Sequence, residues 1–135
     1  MPLYFHSRSR ALVVDDDPAT LEIYELALVE LGLIPILTRE SSQVLKNALS
    51  RDLSLIILDQ QMPGISGLEL ARQIRASSAG AVPIIMVTAD RQVKYAAARA
   101  GVTACLEKPF DVDELMRLVL DLTGACATQG EALTA

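Results

Sequence analysis

Five short apolar runs, at residues 11–14, 33–37, 55–58, 82–87 and 103–106, alternate with segments whose apolar residues recur every three or four positions. Leu21, Tyr24, Leu28 and Leu31 follow the first run; Val44, Leu45, Ala48 and Leu49 follow the second. Leu68, Ala71 and Ile74 come next, then Val93, Ala96, Ala97 and Ala100, and finally Leu115, Leu118, Val119 and Leu122. Spacing of this kind predicts amphipathic helices between strands. Regular strand–helix alternation constrains the topology strongly, because consecutive parallel strands require a crossover, usually helical. A run such as Leu55-Ile56-Ile57-Leu58, apolar at every position, predicts a strand covered on both faces. The expected fold is α/β: a single (βα)5 doubly wound domain with helices on both sides of a five-stranded parallel sheet.

Local punctuation agrees. Asp17-Pro18 reads as an N-cap followed by proline at the first helical position. Gly32 and Gly101 read as helix ends. Asp111-Val112-Asp113-Glu114 is an acidic variant of the capping box. Pro83 is expected at the start of its strand, where a missing N–H is tolerated.

A chain of 135 residues that is 51% apolar can build one core, and a 21% charged fraction does not suggest a disordered acidic chain. The expected division is an N-terminal arm over 1–9, one domain over 10–123 and a tail over 124–135, with no internal repeat or linker. No apolar run approaches the roughly 20 residues needed to cross a bilayer, and residues 1–10 carry no signal-like apolar stretch. A soluble, cytoplasmic protein that does not bind membranes is expected. The net charge of −5 argues against a nucleic-acid binder. The one small basic cluster, His6, Arg8 and Arg10, reads as part of a solvated arm. Cys105 and Cys126 show neither metal-ligand spacing nor a disulfide framework. Both are expected as free thiols in a reducing compartment, Cys105 as a small core residue.

Polar residues gather where the apolar runs stop. The first run ends in Asp15 and Asp16, the third in Asp59, the fourth in Thr88, and Lys108 closely follows the fifth. In a parallel sheet those ends share one edge, where ligands of open α/β folds bind. Three carboxylates brought together repel one another, and a divalent cation relieves that repulsion. Oxygen-only donors suit Mg²⁺ or a similar hard ion, with Mn²⁺ as the alternative. Lys108 adds positive charge, so the edge would accommodate a phosphoryl group, and a carboxylate there can act as nucleophile to form an acyl phosphate. Each residue also has an ordinary reading. Asp15 and Asp16 can close a strand, Asp59 can open a turn, Thr88 can cap a helix near Asp90, and Lys108 can be a surface lysine. Asp17 is assigned to capping alone. Only the joint arrangement favours chemistry.

With Leu12-Val13-Val14-Asp15-Asp16-Asp17, Leu58-Asp59-Gln60-Gln61-Met62-Pro63-Gly64 with Gly67, Met86-Val87-Thr88-Ala89 and Glu107-Lys108-Pro109-Phe110, the sequence resembles the receiver domain of bacterial response regulators, the CheY-like family, over about 10–123. The resemblance implies the flavodoxin-like strand order 2-1-3-4-5, which is the general pattern for such domains rather than a reading of this composition. It implies Asp59 as phosphoacceptor, and Asp15 and Asp16 as the acidic pair at the metal, Asp16 being the direct ligand. Asp59 and the Gln61 backbone carbonyl would complete the metal's protein ligands. Thr88, Ala89 and Lys108 would contact the phosphoryl group, and Lys108-Pro109 would be a cis bond. Gln61 and Asp90 would tune the phosphate's lifetime.

Two positions depart from the family pattern. Cys105 stands where an aromatic residue often swings between rotamers in concert with the threonine, here Thr88. Ser66 stands where aspartate is common. The implied function is a phosphorelay module that takes a phosphoryl group from a sensor histidine kinase and catalyses only its own phosphorylation and dephosphorylation, as a monomer or a weak phosphorylation-linked dimer. Its unidentified downstream protein would meet the face of the fourth helix, fifth strand and fifth helix, including Arg91, Lys94, Tyr95, Arg99 and Cys105. The alternative is a degenerate receiver that binds partners without phosphorylation, for which Cys105 is the support. An aspartyl-nucleophile phosphohydrolase fits less well, since such enzymes need a cap or longer loops that this short chain does not offer.

Overall fold

The computed structural model describes residues 9–50 and 52–124. Within them the chain alternates strictly, from β1 (Arg10–Val14) through α1 (Pro18–Glu30), β2 (Ile34–Thr38) and α2 (Val44–Ser50) to β3 (Leu55–Asp59). It continues through α3 (Gly67–Arg75), β4 (Ile84–Thr88), α4 (Val93–Arg99) and β5 (Ala104–Glu107) to α5 (Val112–Thr123). The strands form one parallel sheet in the order β2-β1-β3-β4-β5. This is the doubly wound α/β fold expected from the alternation. Ser9 and Gly124 are the described edges of the predicted arm and tail; His6, Arg8 and Cys126 lie outside the described residues.

Two apolar layers sandwich the sheet. Strand side chains alternate between faces. Ala11, Val13, Leu55, Ile57, Ile85, Val87 and Leu106 face α1 and α5, where Leu21, Tyr24, Leu28, Leu115 and Val119 meet them. Leu12, Val14, Ile56, Leu58 and Ile84 face the other way, against Val44, Ala48, Leu70, Ala71 and Ile74. Leu55 to Leu58 are wholly inaccessible, as a central strand covered on both faces requires. Each fully buried aliphatic side chain of this kind contributes roughly 1.5–3 kcal/mol.

The caps are as the sequence predicts. Asp17 Oδ1 accepts from the Ala19 N–H, and Pro18 opens α1. Glu114 reaches back to the Asp111 N–H. Gly32 and Gly101 take positive φ just past α1 and α4. Ser66 caps α3 by accepting from the Glu69 N–H.

Some boundaries differ. β4 begins at Ile84, not at residue 82, so Pro83 precedes the strand. The Val82 carbonyl is taken by the Arg75 guanidinium instead of a neighbouring strand. β2 and β5 each begin and end one residue later than expected. Leu49 is exposed and Leu70 buried in its helix where Leu68 is only partly so, because α2 is a short helix and α3 turns its Leu70–Ala71–Ile74 stripe inward. Cys105 is half-buried rather than core: β5 is the sheet's edge, and its outer face is only partly covered. Among the described residues no helix is long and apolar enough to cross a membrane.

Candidate functional site

The carboxyl ends of β1, β3, β4 and β5 deliver the predicted polar residues to one edge. Asp15 follows β1, and its N–H extends the ladder to the Thr38 carbonyl at 3.2 Å. Asp59 is the last residue of β3, paired in register with Val87; Thr88 ends β4 opposite Glu107. The Lys108 N–H continues that ladder to the Thr88 carbonyl at 2.9 Å. Asp15, Asp59 and Thr88 are buried and Asp16 is exposed.

The carboxylates converge. Asp15, Asp16 and Asp59 each offer an oxygen, and those oxygens lie within 4.8 Å of one another. Lys108 Nζ contacts Asp59 Oδ1 at 3.3 Å. The same oxygen accepts the Gln61 N–H at 3.2 Å, which folds the loop after β3 back over the site. Asp15 Oδ1 accepts the Asp17 N–H at 2.9 Å, whereas Asp15 Oδ2 is buried with no partner. Burial pushes the Asp15 carboxyl above its ordinary value; the Asp17 N–H opposes this, while the charges of Asp59 and Asp16 add to it and Lys108 counters them. An unsatisfied buried carboxylate oxygen beside two further carboxylates is the environment a hard divalent cation completes. The donor set therefore fits such an ion.

Thr88 Oγ1 accepts the Asp90 N–H at 3.0 Å, and Asp90 Oδ1 accepts from Gln92 at 2.9 Å. Ala89 and Asp90 lie in the exposed turn after β4, and Gln61 is exposed in the loop after β3. The Lys108-Pro109 peptide is cis. Cys105, on the edge strand, pairs in register with Met86, two residues before Thr88, and is not at the carboxylate cluster. A shallow concavity beside it is lined by Lys94, Ala98, Val102 and Thr103. Burial raises its thiol pKa, opposed by Lys94.

Several supporting contacts were not singled out from the sequence. The Gln60 side chain accepts the Leu68 N–H at 2.9 Å, docking α3 against the end of β3. Gly67 is required there: a Cβ would lie 2.7 Å from the Asp59 carbonyl oxygen. Arg91 Nε meets Glu107 Oε2 at 2.7 Å, tying the turn after β4 to β5; Lys94, Tyr95 and Arg99 stay exposed on α4. Gln60 and Gly67 stand in the motif that follows the third apolar run, although residue type alone does not assign their contacts. Nothing in residue type alone pairs Arg91 with Glu107.

The family model for the response regulator receiver domain matches residues 11–120. The response regulator ArlR of Staphylococcus epidermidis is 35% identical over 107 residues, 78% of this chain and 48% of that protein. The DNA-binding transcriptional regulator NtrC of Escherichia coli is 35% identical over 109 residues, 79% of this chain and 23% of that one. The chain thus spans half or less of these relatives. Among solved structures, the response regulator TrrA of Thermotoga maritima in complex with Mg²⁺-BeF superposes with a TM-score of 0.77 at 35% identity, covering 84% of this chain and 98% of that one. The receiver domain of a Pseudomonas aeruginosa sensor histidine kinase, with magnesium coordinated in its active-site cleft, gives 0.79 at 30% identity, covering 87% and 99%.

Proposed function

The chain belongs to the response regulator receiver family, and on that premise we propose that it is a phosphoacceptor in a two-component phosphorelay, with Asp59 taking the phosphoryl group. One observation carries this reading: the nearly buried Asp59 carboxylate lies within reach of both the Lys108 ammonium and the Asp15–Asp16 pair. A carboxylate oxygen of Asp59 forms the new P–O bond while the P–N bond to a kinase phosphohistidine breaks and its electron pair returns to the imidazole. The histidine kinase is the expected donor, and an acyl phosphate is a small-molecule substitute.

The chain's residues divide the task. Asp15, Asp16, Asp59 and the Gln61 carbonyl would hold Mg²⁺, or Mn²⁺, which when bound offsets phosphoryl charge. Lys108 neutralises a phosphoryl oxygen, and the Thr88 hydroxyl and Ala89 backbone contact the group. Transfer of this kind depends on positioning and electrostatic stabilisation more than on proton chemistry. The chain has no separate metabolic substrate in this reading, and the α4–β5–α5 face reports the phosphorylated state to a downstream protein. A change in Thr88 would have to reach that face without an aromatic partner at Cys105. The reading is tested by exposing the protein to acetyl phosphate and Mg²⁺ and measuring intact mass. Gain of one phosphoryl group, lost in Asp59→Asn, supports it; no gain with any donor favours the degenerate receiver.

A further inference from the structure

Tyr24 lies in the middle of α1 and is 1% exposed, and its hydroxyl has no hydrogen-bond partner. A buried hydroxyl left unpaired costs roughly 1–3 kcal/mol. Phenylalanine would fill the same space without that cost, so packing alone does not account for tyrosine here.

Its surroundings suggest what the hydroxyl is for. Tyr24 packs in the layer between α1 and the sheet, with Val13 and Ile57. Side chains two residues apart on a strand share a face. Asp15 and Asp59 therefore continue the rows of Val13 and Ile57 into the same layer as Tyr24. Long side chains on a helix lean toward its N-terminus. The N-terminus of α1 lies at the sheet edge that carries the carboxylates, so the phenol leans toward them. The other unpartnered buried oxygen among the described residues is Asp15 Oδ2. One is a donor and the other an acceptor. Burial, then the charges of Asp15 and Asp59, raise the pKa of the Tyr24 hydroxyl, which keeps its proton. The ring also stacks on Phe110, centroids 5.9 Å apart, two residues beyond Lys108.

We propose that Tyr24 is a positioning residue for the cation site: in the cation-bound protein its hydroxyl donates across one buried water to the free oxygen of Asp15 and fixes that carboxylate's orientation. This rests on the assignment of Asp15, Asp16 and Asp59 to a divalent cation. Groups that orient a metal's carboxylates from behind typically change metal affinity by about 10–100-fold when removed.

The test is Tyr24→Phe, which keeps the ring and its stacking on Phe110. Mg²⁺ affinity of the full chain is measured by calorimetry, and cation-free stability by thermal unfolding. The expected result is Mg²⁺ affinity weaker by on the order of tenfold with a cation-free midpoint equal to or above wild type. Unchanged affinity overturns the proposal, as does weaker affinity accompanied by a lowered cation-free midpoint, which would indicate lost packing. A wild-type chain that does not bind Mg²⁺ overturns it as well. A wild-type chain that binds Mg²⁺ but takes no phosphoryl group at Asp59 sinks the phosphoacceptor reading and leaves the role of Tyr24 standing.

Discussion

Replacing Asp15 with asparagine should stabilise the protein when no divalent cation is present. Asp15 is 1% exposed, one of its oxygens has no partner, and its charge lies in a cluster whose oxygens are within 4.8 Å. At an effective dielectric of about 20, two unit charges 4.8 Å apart repel by about 3–4 kcal/mol. Lys108 offsets much of the Asp59 charge from 3.3 Å, and Asp16 is exposed to solvent. The net gain on removing the Asp15 charge is therefore nearer ~1–2 kcal/mol. Asparagine keeps an oxygen for the Asp17 N–H and adds a donor in place of the unpaired oxygen. For a domain of this size the thermal midpoint should rise by about 4–8 °C. The raised carboxyl pKa gives the pH dependence its sign. Ionised Asp15 costs stability above its folded-state value, and the cost is relieved as pH falls through that value toward the ordinary 3.8. The gap between variant and wild type should thus narrow on acidification. Mg²⁺ should raise the wild-type midpoint through preferential binding to the folded state and raise the variant's much less. Thermal unfolding with and without Mg²⁺ at several pH values reads all of this. A variant less stable than wild type without the cation, or equally stabilised by Mg²⁺, would mean that the buried Asp15 charge is not a destabilising charge relieved by the cation.

Other substitutions probe the frame around the site. Arg75 donates to the carbonyls of Gly101, Gly80 and Val82 and to Thr103 Oγ1. Arg75→Ala should cost about 2–4 kcal/mol by stranding part-buried carbonyls, seen as a lower urea midpoint without loss of Mg²⁺ binding. Gly67→Ala places a methyl 2.7 Å from the Asp59 carbonyl. It should destabilise by about 1–3 kcal/mol and slow phosphorylation by acetyl phosphate, both measurable on the same preparation. Asp90 lies in the turn whose N–H holds the Thr88 hydroxyl, so Asp90→Ala should change the rate at which the acyl phosphate decays; equal decay rates would count against that role.

Most of the architecture was legible because burial on both faces leaves a plain mark. The strand 55–58 is apolar at every position, and α1 shows its inward residues Leu21, Tyr24 and Leu28 at helical spacing. α1 also carries Ile23, Leu26 and Val29 exposed, so apolar character alone did not identify its buried face. The convergence of Asp15, Asp16, Asp59, Thr88 and Lys108 followed from the parallel topology, since each closes a strand. The metal and phosphoryl roles proposed for them rest on the family resemblance rather than on spacing. Less legible were features set by tertiary partners. Pro83 read as a strand residue because the demand of Arg75 on the Val82 carbonyl has no local signature. Cys105 read as core because a sheet's edge is not marked in four residues of sequence. Tyr24 read as one more apolar position, and only strand parity places its hydroxyl in the layer of the carboxylates.

Phosphoryl transfer to Asp59 is tested by intact-mass measurement after incubation with acetyl phosphate and Mg²⁺. The wild-type chain should gain a single phosphoryl group, chelating the cation should abolish the gain, and Asp59→Asn should not gain it. A wild-type chain that remains unmodified with every phosphodonor, or an Asp59→Asn chain that is modified to the same extent, would contradict transfer to Asp59.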